Sequence, residues 1–449
     1  MQYRADAPAI CIVLTMFVMA QKVPDSPIAL DLRRAEELAL EQNVSLRVSK
    51  NQSLMAQSAK DEAFSRFLPE LSAEASYGYL SPRPGVKKEI IPGVNLNLTQ
   101  PSDNYSYGLR LRQILYSGGR ISTAFEIAKL GEKASQWLLK DSGRNAIFQA
   151  RNLYFRALLM NELQTLATEN AKRANDRWKE AQSQYRAGTI SKVELLKSEA
   201  EQSGAELAAT RAKDDFEASL NELKLSLGMD HGASVRLVGR LQVQRFPEVD
   251  IASLRAATPS YANAEAASLQ AKQARMGVDM AEAEYWPVLS AGLSYDYKNP
   301  YLGQDKFGSG YGVFFQATMP LYDGGKRSSE VEQARLKAEN AEMIAKDIYE
   351  QLENQRALLE DRIDSLSRSL LVREKSIRTA RAARDAMAVA ARNGAATTSD
   401  LAESELTLFQ MNVEQSNAIA QLLIALSGWE RLTGQSSKTL TQWKEGALQ

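Results

Sequence analysis

Four short segments of the chain alternate between apolar and polar residues. They cover residues 71–79, 105–115, 289–297 and 311–321, and their odd-numbered positions carry most of the apolar side chains. The fourth segment alternates less regularly than the others. Alternation over about 9–11 residues is typical of outer-membrane strands, although a half-buried strand of a soluble sheet alternates in the same way. The pattern therefore predicts four strands and leaves both environments open.

Tyrosines mark the ends of the apolar faces of these strands. Ten of the 16 tyrosines lie in residues 77–116 or 295–322. Amphipathic rings concentrate at membrane–water interfaces, so this clustering favours a membrane sheet over a soluble one. The expected interfacial aromatic belt consists of Tyr77, Tyr79, Tyr105, Tyr107, Tyr295, Tyr297 and Tyr311.

Long segments without proline follow each pair of strands. No proline lies between Pro101 and Pro247, and none follows Pro320. These segments are rich in Ala, Leu, Glu, Lys, Arg and Gln, which favour helix, whereas an interior proline would break one. Short glycine-containing breaks divide each segment into a hairpin. The predicted helices are 120–187, 191–227, 327–392 and 397–433.

Both returning helices begin with the residues of a capping box. Ser191 precedes Glu194 by three positions, and Thr397 precedes Asp400 by the same spacing. In this motif the hydroxyl and the carboxylate satisfy backbone N–H groups that the first helical turn leaves unpaired. The helix starts at both hairpin tips are therefore predicted from local sequence alone.

The two strand–helix units are copies of one another. Residues 67–73 recur at 285–291, an offset of 218, and residues 115–120 recur at 321–326, an offset of 206. The loop between the strands of the first copy is therefore 12 residues longer. The expected organisation is a signal peptide at 1–20, a first repeat at 21–228, an inter-repeat equatorial segment at 229–262, a second repeat at 263–434 and a C-terminal tail at 435–449.

Two connecting segments carry separate expectations. The first-repeat loop 80–104 is rich in proline and is expected to face outside the cell. Residues 235–243 are expected to add a strand to the equatorial segment, and the C-terminal tail is expected to join it.

The N-terminus has the layout of a secretory signal peptide. An apolar run at 9–20 follows Arg4 and ends in small residues at Ala20. No later apolar stretch approaches the ~18–20 residues of a transmembrane helix.

Four strands cannot close a barrel, since small barrels need about eight, and unpaired strand edges are costly in lipid. If the strands span a membrane, several chains must share one barrel, and three chains would supply 12 strands.

The composition excludes several classes of function. The 55 basic and 55 acidic residues give a net charge of zero, which argues against nucleic-acid binding. With only Cys11 and His231, a disulfide framework, a Cys/His zinc site or a His-based triad is not expected. We expect no catalytic residues, no cofactor and no metal.

The alternative of a soluble periplasmic coiled-coil adaptor or scaffold explains the helices but not the strands or the duplication.

Three segments resemble the TolC-type outer membrane efflux proteins. They are the Leu-Tyr-(Ser/Asp)-Gly-Gly-(Arg/Lys) motif at 115–120 and 321–326, the hairpin tip at 185–196 and the N-terminal helix at 30–43. The resemblance implies an α+β membrane protein, a homotrimer whose 12-stranded barrel sits in outer-membrane lipid and continues as a long periplasmic helical barrel. It also implies a periplasmic adaptor and an inner-membrane transporter as partners. The chain would be the passive exit duct of a tripartite efflux or type I secretion system, and the transporter would choose the cargo.

The resemblance also implies residue roles. The periplasmic aperture would be lined by Asp400 and Glu403, which share one helix face, although acidic residues in a first turn also stabilise the helix dipole. The family's lock tyrosine and arginine correspond to Ala391 and Ala396, so that lock is expected to be absent. The expected adaptor-contacting tips are Gly188, Thr189, Gly394 and Ala395.

Overall fold

The computed structural model describes residues 28–81, 85–92, 94–99, 101–241, 249–302 and 304–446. The predicted signal peptide lies outside these residues. The elements, in chain order, are β1 Ile28–Leu30, α1 Leu32–Gln42, α2 Val44–Ser65, β2 Glu70–Tyr79, β3 Gly85–Ile91, β4 Val94–Thr99, β5 Asp103–Tyr116, α3 Arg120–Arg186, α4 Lys192–Ser226, β6 Val235–Leu237, α5 Ile251–Ala256, α6 Ala262–Glu282, β7 Val288–Asn299, β8 Gly308–Thr318, α7 Lys326–Arg392, α8 Thr398–Thr433 and α9 Lys438–Gly446.

The four predicted strands form one antiparallel sheet in the order β2-β5-β7-β8. Among the described residues, therefore, no strand pairs with the outer edge of β2 or β8. The fourth strand ends at Thr318 rather than at residue 321. Pro320 explains the difference, because proline has no N–H to donate to a strand ladder.

The first-repeat loop at 80–104 contains a hairpin that was not predicted from the sequence. Strands β3 and β4 pair antiparallel, with Gly85 opposite Thr99 and Ile91 opposite Val94. Pro92 lies in the tight turn between them. The second repeat has only a short connection at the same place, and this hairpin accounts for the change of offset.

The long helices confirm the predicted hairpins. Helices α3 and α7 each have 67 residues, or about 100 Å at 1.5 Å per residue. In the half next to the sheet, the helices pack in the order α2-α3-α6-α7, which matches the strand order. In the half next to the hairpin tips, they pack in the order α4-α3-α8-α7. Of the helices in the described part of the chain, none is long and apolar enough to cross a lipid bilayer.

Paired glycines turn the chain from strand to helix in both repeats. Gly118 and Gly119 have φ of 63° and 90°, and Gly324 and Gly325 have φ of 68° and 90°. A Cβ on Gly118 would lie 2.6 Å from the Cβ of Trp286, so neither the backbone nor the space admits a side chain. The glycine pairs therefore set the direction of the long helices.

The main hydrophobic core lies midway along the long helices. Tyr154 and Phe155 of α3 are fully buried, and Phe155 packs edge-on against Trp443 of α9 at 5.3 Å between ring centroids. The Tyr154 hydroxyl donates to the carbonyl of Val238 in the inter-repeat segment.

Of the strand predicted at 235–243, the part that forms is β6, which pairs parallel with β1. Residues 242–248 lie outside the described residues. The boundaries of the repeats and of the equatorial segment stay predictions.

A buried network of ion pairs connects the first helix, α1, and the last helix, α9, to this core. The guanidinium of Arg151 donates to Glu36 at 2.6 Å and to Glu430 at 2.5 Å. Lys444 of α9 donates to Glu36 at 2.7 Å. Each charge has an opposite partner, which offsets the cost of burying it. Helices α1, α3, α8 and α9 are therefore fixed to one another at this level.

Candidate functional site

The outer face of the sheet carries apolar rows with tyrosines at the end far from the helices. Within the sheet, Tyr77 lies opposite Tyr105, Tyr107 opposite Tyr297, and Tyr295 opposite Tyr311. Six of the seven expected belt residues therefore stand in directly paired positions. The seventh, Tyr79, lies opposite Asp103 and is 64% exposed.

Aromatic contacts extend across this row. The rings of Tyr77 and Tyr105 are 5.1 Å apart, and Phe307 from the β7–β8 connection stacks on Tyr297 at 5.1 Å. Tyr105 also lies 6.1 Å from Phe307. These ring contacts join β2, β5 and β7 through the β7–β8 connection, and the role of the tyrosines as an interfacial belt stays a prediction.

A second aromatic group, which we call the junction aromatics, lies where the strands meet the helices. Phe64, Phe67 and Phe125 contact one another at 5.9–6.0 Å between ring centroids. The other exposed members are Tyr116, Tyr285, Trp286 and Tyr322. Several of these aromatics belong to the motifs at 67–73 and 285–291, which the sequence showed to be repeated. The aromatic residues before Pro69 and Pro287 were the signal that could have predicted this group.

The spacing of the two aromatic groups fits a bilayer. Tyr116 lies nine positions after Tyr107 in β5, which is about 30 Å along a strand. With the tilt of about 40° found in membrane barrels, the height is roughly 23 Å, close to the ~25 Å apolar band of such barrels. The outer face between the two groups is apolar, with Leu109 and Leu293 each 50% exposed.

The inner face of the sheet is polar and charged. Arg110 of β5 pairs with Glu74 of β2 at 3.2 Å, and both side chains are half exposed. One aromatic interrupts this surface, because Phe314 of β8 lies over Gly292, where any side chain would clash with its ring. A cavity of about 910 Å³ continues the inner face down to the ends of α2, α3, α6 and α7. A wall of mixed charge suits the passage of polar solutes.

The two hairpin tips have the same backbone geometry. Gly188 and Gly394 have φ of 73° and 71°. The N–H of Thr189 donates to the carbonyl five residues before it at 2.9 Å, and the N–H of Ala395 makes the equivalent bond at 2.9 Å. These are Schellman-type helix ends, for which glycine is preferred because of its positive φ. The four predicted tip residues thus lie in two equivalent turns.

Asp400 is fixed by a capping box at the start of α8. Its carboxylate accepts from the backbone N–H of Thr397 at 2.9 Å and from the Thr397 hydroxyl at 2.7 Å. The hydrogen bond from the backbone N–H of Thr397 lowers the pKa of Asp400, and the bond from its hydroxyl and the charge of Lys197 act in the same direction. Asp400 is therefore ionised at neutral pH, and capping accounts for its position.

Glu403 lies one turn beyond Asp400 and is exposed. In the first repeat the same position, 206 residues earlier, is Lys197. Lys197 donates to the hydroxyl of Ser399 at 2.5 Å, so the two tips contact one another. The first tip thus combines Glu194 with a lysine, whereas the second combines two acids. Of the two predicted aperture residues, only Glu403 has no role in capping.

A buried ion pair joins the two helical hairpins between their tips and the main hydrophobic core. Arg177 of α3 donates to Glu405 of α8, and their side chains are only 14% and 11% exposed. Ala174 and Ala181, one heptad apart, are buried on the same helix. Nothing in the local sequence marks Arg177 or Glu405, because they are 228 residues apart and their contact depends on how the hairpins pack.

The fold is similar to that of solved outer membrane channels. The CmeC outer membrane channel of Campylobacter jejuni matches with a TM-score of 0.75 at 17% identity, over 93% of this chain and 89% of that chain. VceC of Vibrio cholerae matches with a TM-score of 0.74 at 16% identity, over 93% and 97%. The MtrE outer membrane channel of Neisseria gonorrhoeae matches with a TM-score of 0.71 at 19% identity, over 93% and 89%.

Comparison with the curated proteins finds no match. The sequence model of the outer membrane efflux protein family matches residues 36–229 and 259–435. These residues include both helical hairpins and all four strands of the sheet. The two matched segments fall on either side of the inter-repeat segment, and together they make up most of the chain. The chain therefore belongs to the outer membrane efflux protein family, and it is a non-enzymatic exit duct of the bacterial outer membrane with a helical periplasmic extension.

Proposed function

We propose that three copies of the chain assemble around one axis and share a 12-stranded barrel. The observation that carries this proposal is the pair of free edges, β2 and β8, on a sheet whose outer face is apolar. In lipid each unpaired backbone group costs several kcal/mol, so the edges need strands from neighbouring copies. Pairing of β2 with β8 of the next copy closes the ring and leaves no edge.

The helices support the same arrangement. Helix α4 exposes Leu207 and Leu225, and α7 at the opposite flank exposes Leu358 and Leu371, each by 50% or more. Two different apolar flanks on one chain suit a head-to-tail contact, which closes into a ring when the rotation fits. The helices then continue the barrel as a periplasmic tunnel.

Reconstitution into planar lipid bilayers tests this duct. We expect discrete conductance steps from the purified full-length protein, because a closed ring of 12 strands leaves an aqueous lumen. A preparation of folded protein that inserts into the bilayer and never conducts would contradict the proposal.

We further propose that the two tips dock onto a periplasmic adaptor, which links the duct to an inner-membrane transporter. The tips are the far ends of the helices, Thr189 and Ala395 are exposed in their turns, and the bond from Lys197 to Ser399 joins the two tips. A photo-reactive amino acid at Thr189 or Ala395 should cross-link to a second protein in cells. The same probe at Thr210, exposed about 30 Å further along α4, is the control and should not. Equal products from all three sites would contradict tip docking.

We also propose that Asp400 and Glu403 line the periplasmic aperture. Three copies would place six carboxylates around the axis, which favours cations. Replacing both residues by alanine should reduce cation selectivity and block by divalent cations in planar bilayers. The matched control is Glu194→Ala, which removes the equivalent capping acid of the first repeat. Unchanged selectivity in the double variant would exclude the aperture role.

A further inference from the structure

A polar cavity of about 700 Å³ lies beside the inter-repeat segment, away from the sheet and from the tips. Its walls come from the middle of α3, from α7 and α8, and from Leu237, Gly239 and Arg240 of the inter-repeat segment. The first repeat, the second repeat and the segment between them therefore all contribute to one site. Neither the exit duct nor the docking of the tips requires such a cavity.

The charges around this cavity are unbalanced. Four guanidinium groups and two carboxylates line it, which leaves an excess of two positive charges. An uncompensated excess in a concave surface attracts anions. The charged residues are Arg173, Arg240, Arg381 and Arg384 with Glu162 and Glu169.

Two of the four arginines are already paired. Arg173 donates to Glu169 at 2.9 Å, and Arg384 pairs with Asp385, next to it on α7, at 3.1 Å. The Nε of Arg384 is nevertheless buried without a hydrogen-bond partner. A ligand atom in the cavity would satisfy this donor.

The other two arginines, Arg240 and Arg381, are exposed, and neither makes an ion pair within the described part of the chain. They come from different elements, the inter-repeat segment and α7, and they face the same cavity. Burial raises the pKa of Glu162, and the nearby charge of Arg240 opposes this rise. The side-chain amides of Asn161 and Asn412 add further donors.

We propose that this cavity binds a ligand with two separate carboxylate groups, one held by Arg240 and one by Arg381. A guanidinium group pairs with a carboxylate through two parallel hydrogen bonds. Because the two guanidinium groups come from different elements and neither makes an ion pair, each is available to hold one carboxylate. Such a ligand would fix the inter-repeat segment to the second repeat. It could be a free dicarboxylic acid or two acidic side chains of a protein segment.

Isothermal titration calorimetry on the full-length protein in detergent tests the proposal. The probes are succinate and an acetylated, amidated Glu-Gly-Glu peptide, at neutral pH and low salt. We expect saturable binding at one site per chain. Arg240→Gln and Arg381→Gln should each weaken binding by about tenfold or more, the loss of one charge-assisted pair. Tighter binding of the peptide would assign the site to a protein segment, and tighter binding of succinate to a free acid.

The matched control is Arg378→Gln. Arg378 is exposed on the same helix, pairs with Glu374 and does not line the cavity, so its loss should leave binding unchanged. Arg381→Lys keeps the positive charge but loses the planar guanidinium group, so this variant should bind the probes with intermediate affinity. The absence of saturable binding of both probes, or equal binding by wild type and the Arg240→Gln/Arg381→Gln variant, would overturn the proposal. Channel conductance should be the same in all variants, which separates this site from the duct.

Discussion

Helices α4 and α8 occupy equivalent places in the two repeats and yet differ in burial. They have 35 and 36 residues, and both begin with a capping box after a glycine turn. In α4 three residues are buried, whereas α8 buries fourteen, including Leu422 and Trp429. Similar local sequence has produced the same helix start and length in two different environments.

The packing order explains this difference. Helix α8 lies between α3 and α7, whereas α4 contacts α3 and lies at the flank of the chain. The duplicated sequence therefore sets the local structure, and the position in the helix layer sets the burial. The apolar residues that α4 leaves exposed, such as Leu207, are the surface that we assign to a neighbouring copy.

The largest expected effect comes from truncating the inner helix. Leu422→Ala should lower the free energy of unfolding by about 3 kcal/mol, because the residue is fully buried and leaves a cavity. Leu207→Ala, at a half-exposed position of α4, should leave the single chain almost unchanged and weaken contacts between copies. Thermal unfolding followed by circular dichroism, together with gel mobility of the assembly, measures both. Equal losses of chain stability in the two variants would contradict the comparison.

The ion pair between the hairpins should have the next largest effect. Glu405→Gln leaves the guanidinium of Arg177 buried without an opposite charge, which should cost about 2 kcal/mol. The exposed pair of Arg156 with Glu222, on α3 and α4, is the control, since surface pairs contribute about 0–1 kcal/mol. Thermal unfolding of Glu405→Gln and Glu222→Gln compares them. If both variants unfold at the same temperature, the buried pair does not hold the hairpins together.

The caps should have smaller and more equal effects. Ser191→Ala and Thr397→Ala each remove an N-cap hydroxyl, which should cost about 1 kcal/mol of helix stability. Because capping is local, we expect the two losses to agree even though the helices differ in burial. Hydrogen exchange of the first-turn amides of α4 and α8 measures each loss. A much larger loss at Thr397 would show that the second cap has a role beyond its own helix.

The stability of the second cap should depend on pH. The pKa of Asp400 is lowered from its ordinary value of 3.8 in the folded protein. Its stabilising contribution is therefore fully present above that value and is lost as the pH falls through the lower folded pKa. First-turn exchange in α8 should accelerate only in this acidic range. Asp400→Asn should remove that pH dependence, and if the acceleration persists in the variant, another group is responsible.

The sequence predicted those parts of the molecule that depend on local pattern. Strand alternation, the capping boxes and the glycine turns each need only neighbouring residues, and all appear in the structure. The contacts of Arg177 with Glu405 and of Lys197 with Ser399 were not predictable, because they join residues more than 200 positions apart. The hairpin β3–β4 was not predicted, because its first strand, at 85–91, lacks the regular alternation of the sheet strands. The functional roles of Asp400, Glu403 and the tips stay predictions.

The mass of the native assembly tests the central claim most directly, namely that neighbouring copies complete the sheet and cover the flanks of each chain. Native mass spectrometry of the detergent-extracted protein gives this mass without a label. The 49.7 kDa chain should appear as a complex of three chains, less any residues removed from the N-terminus. A folded protein with the mass of a single chain would contradict the account, because the edges of β2 and β8 would then have no partner in the membrane.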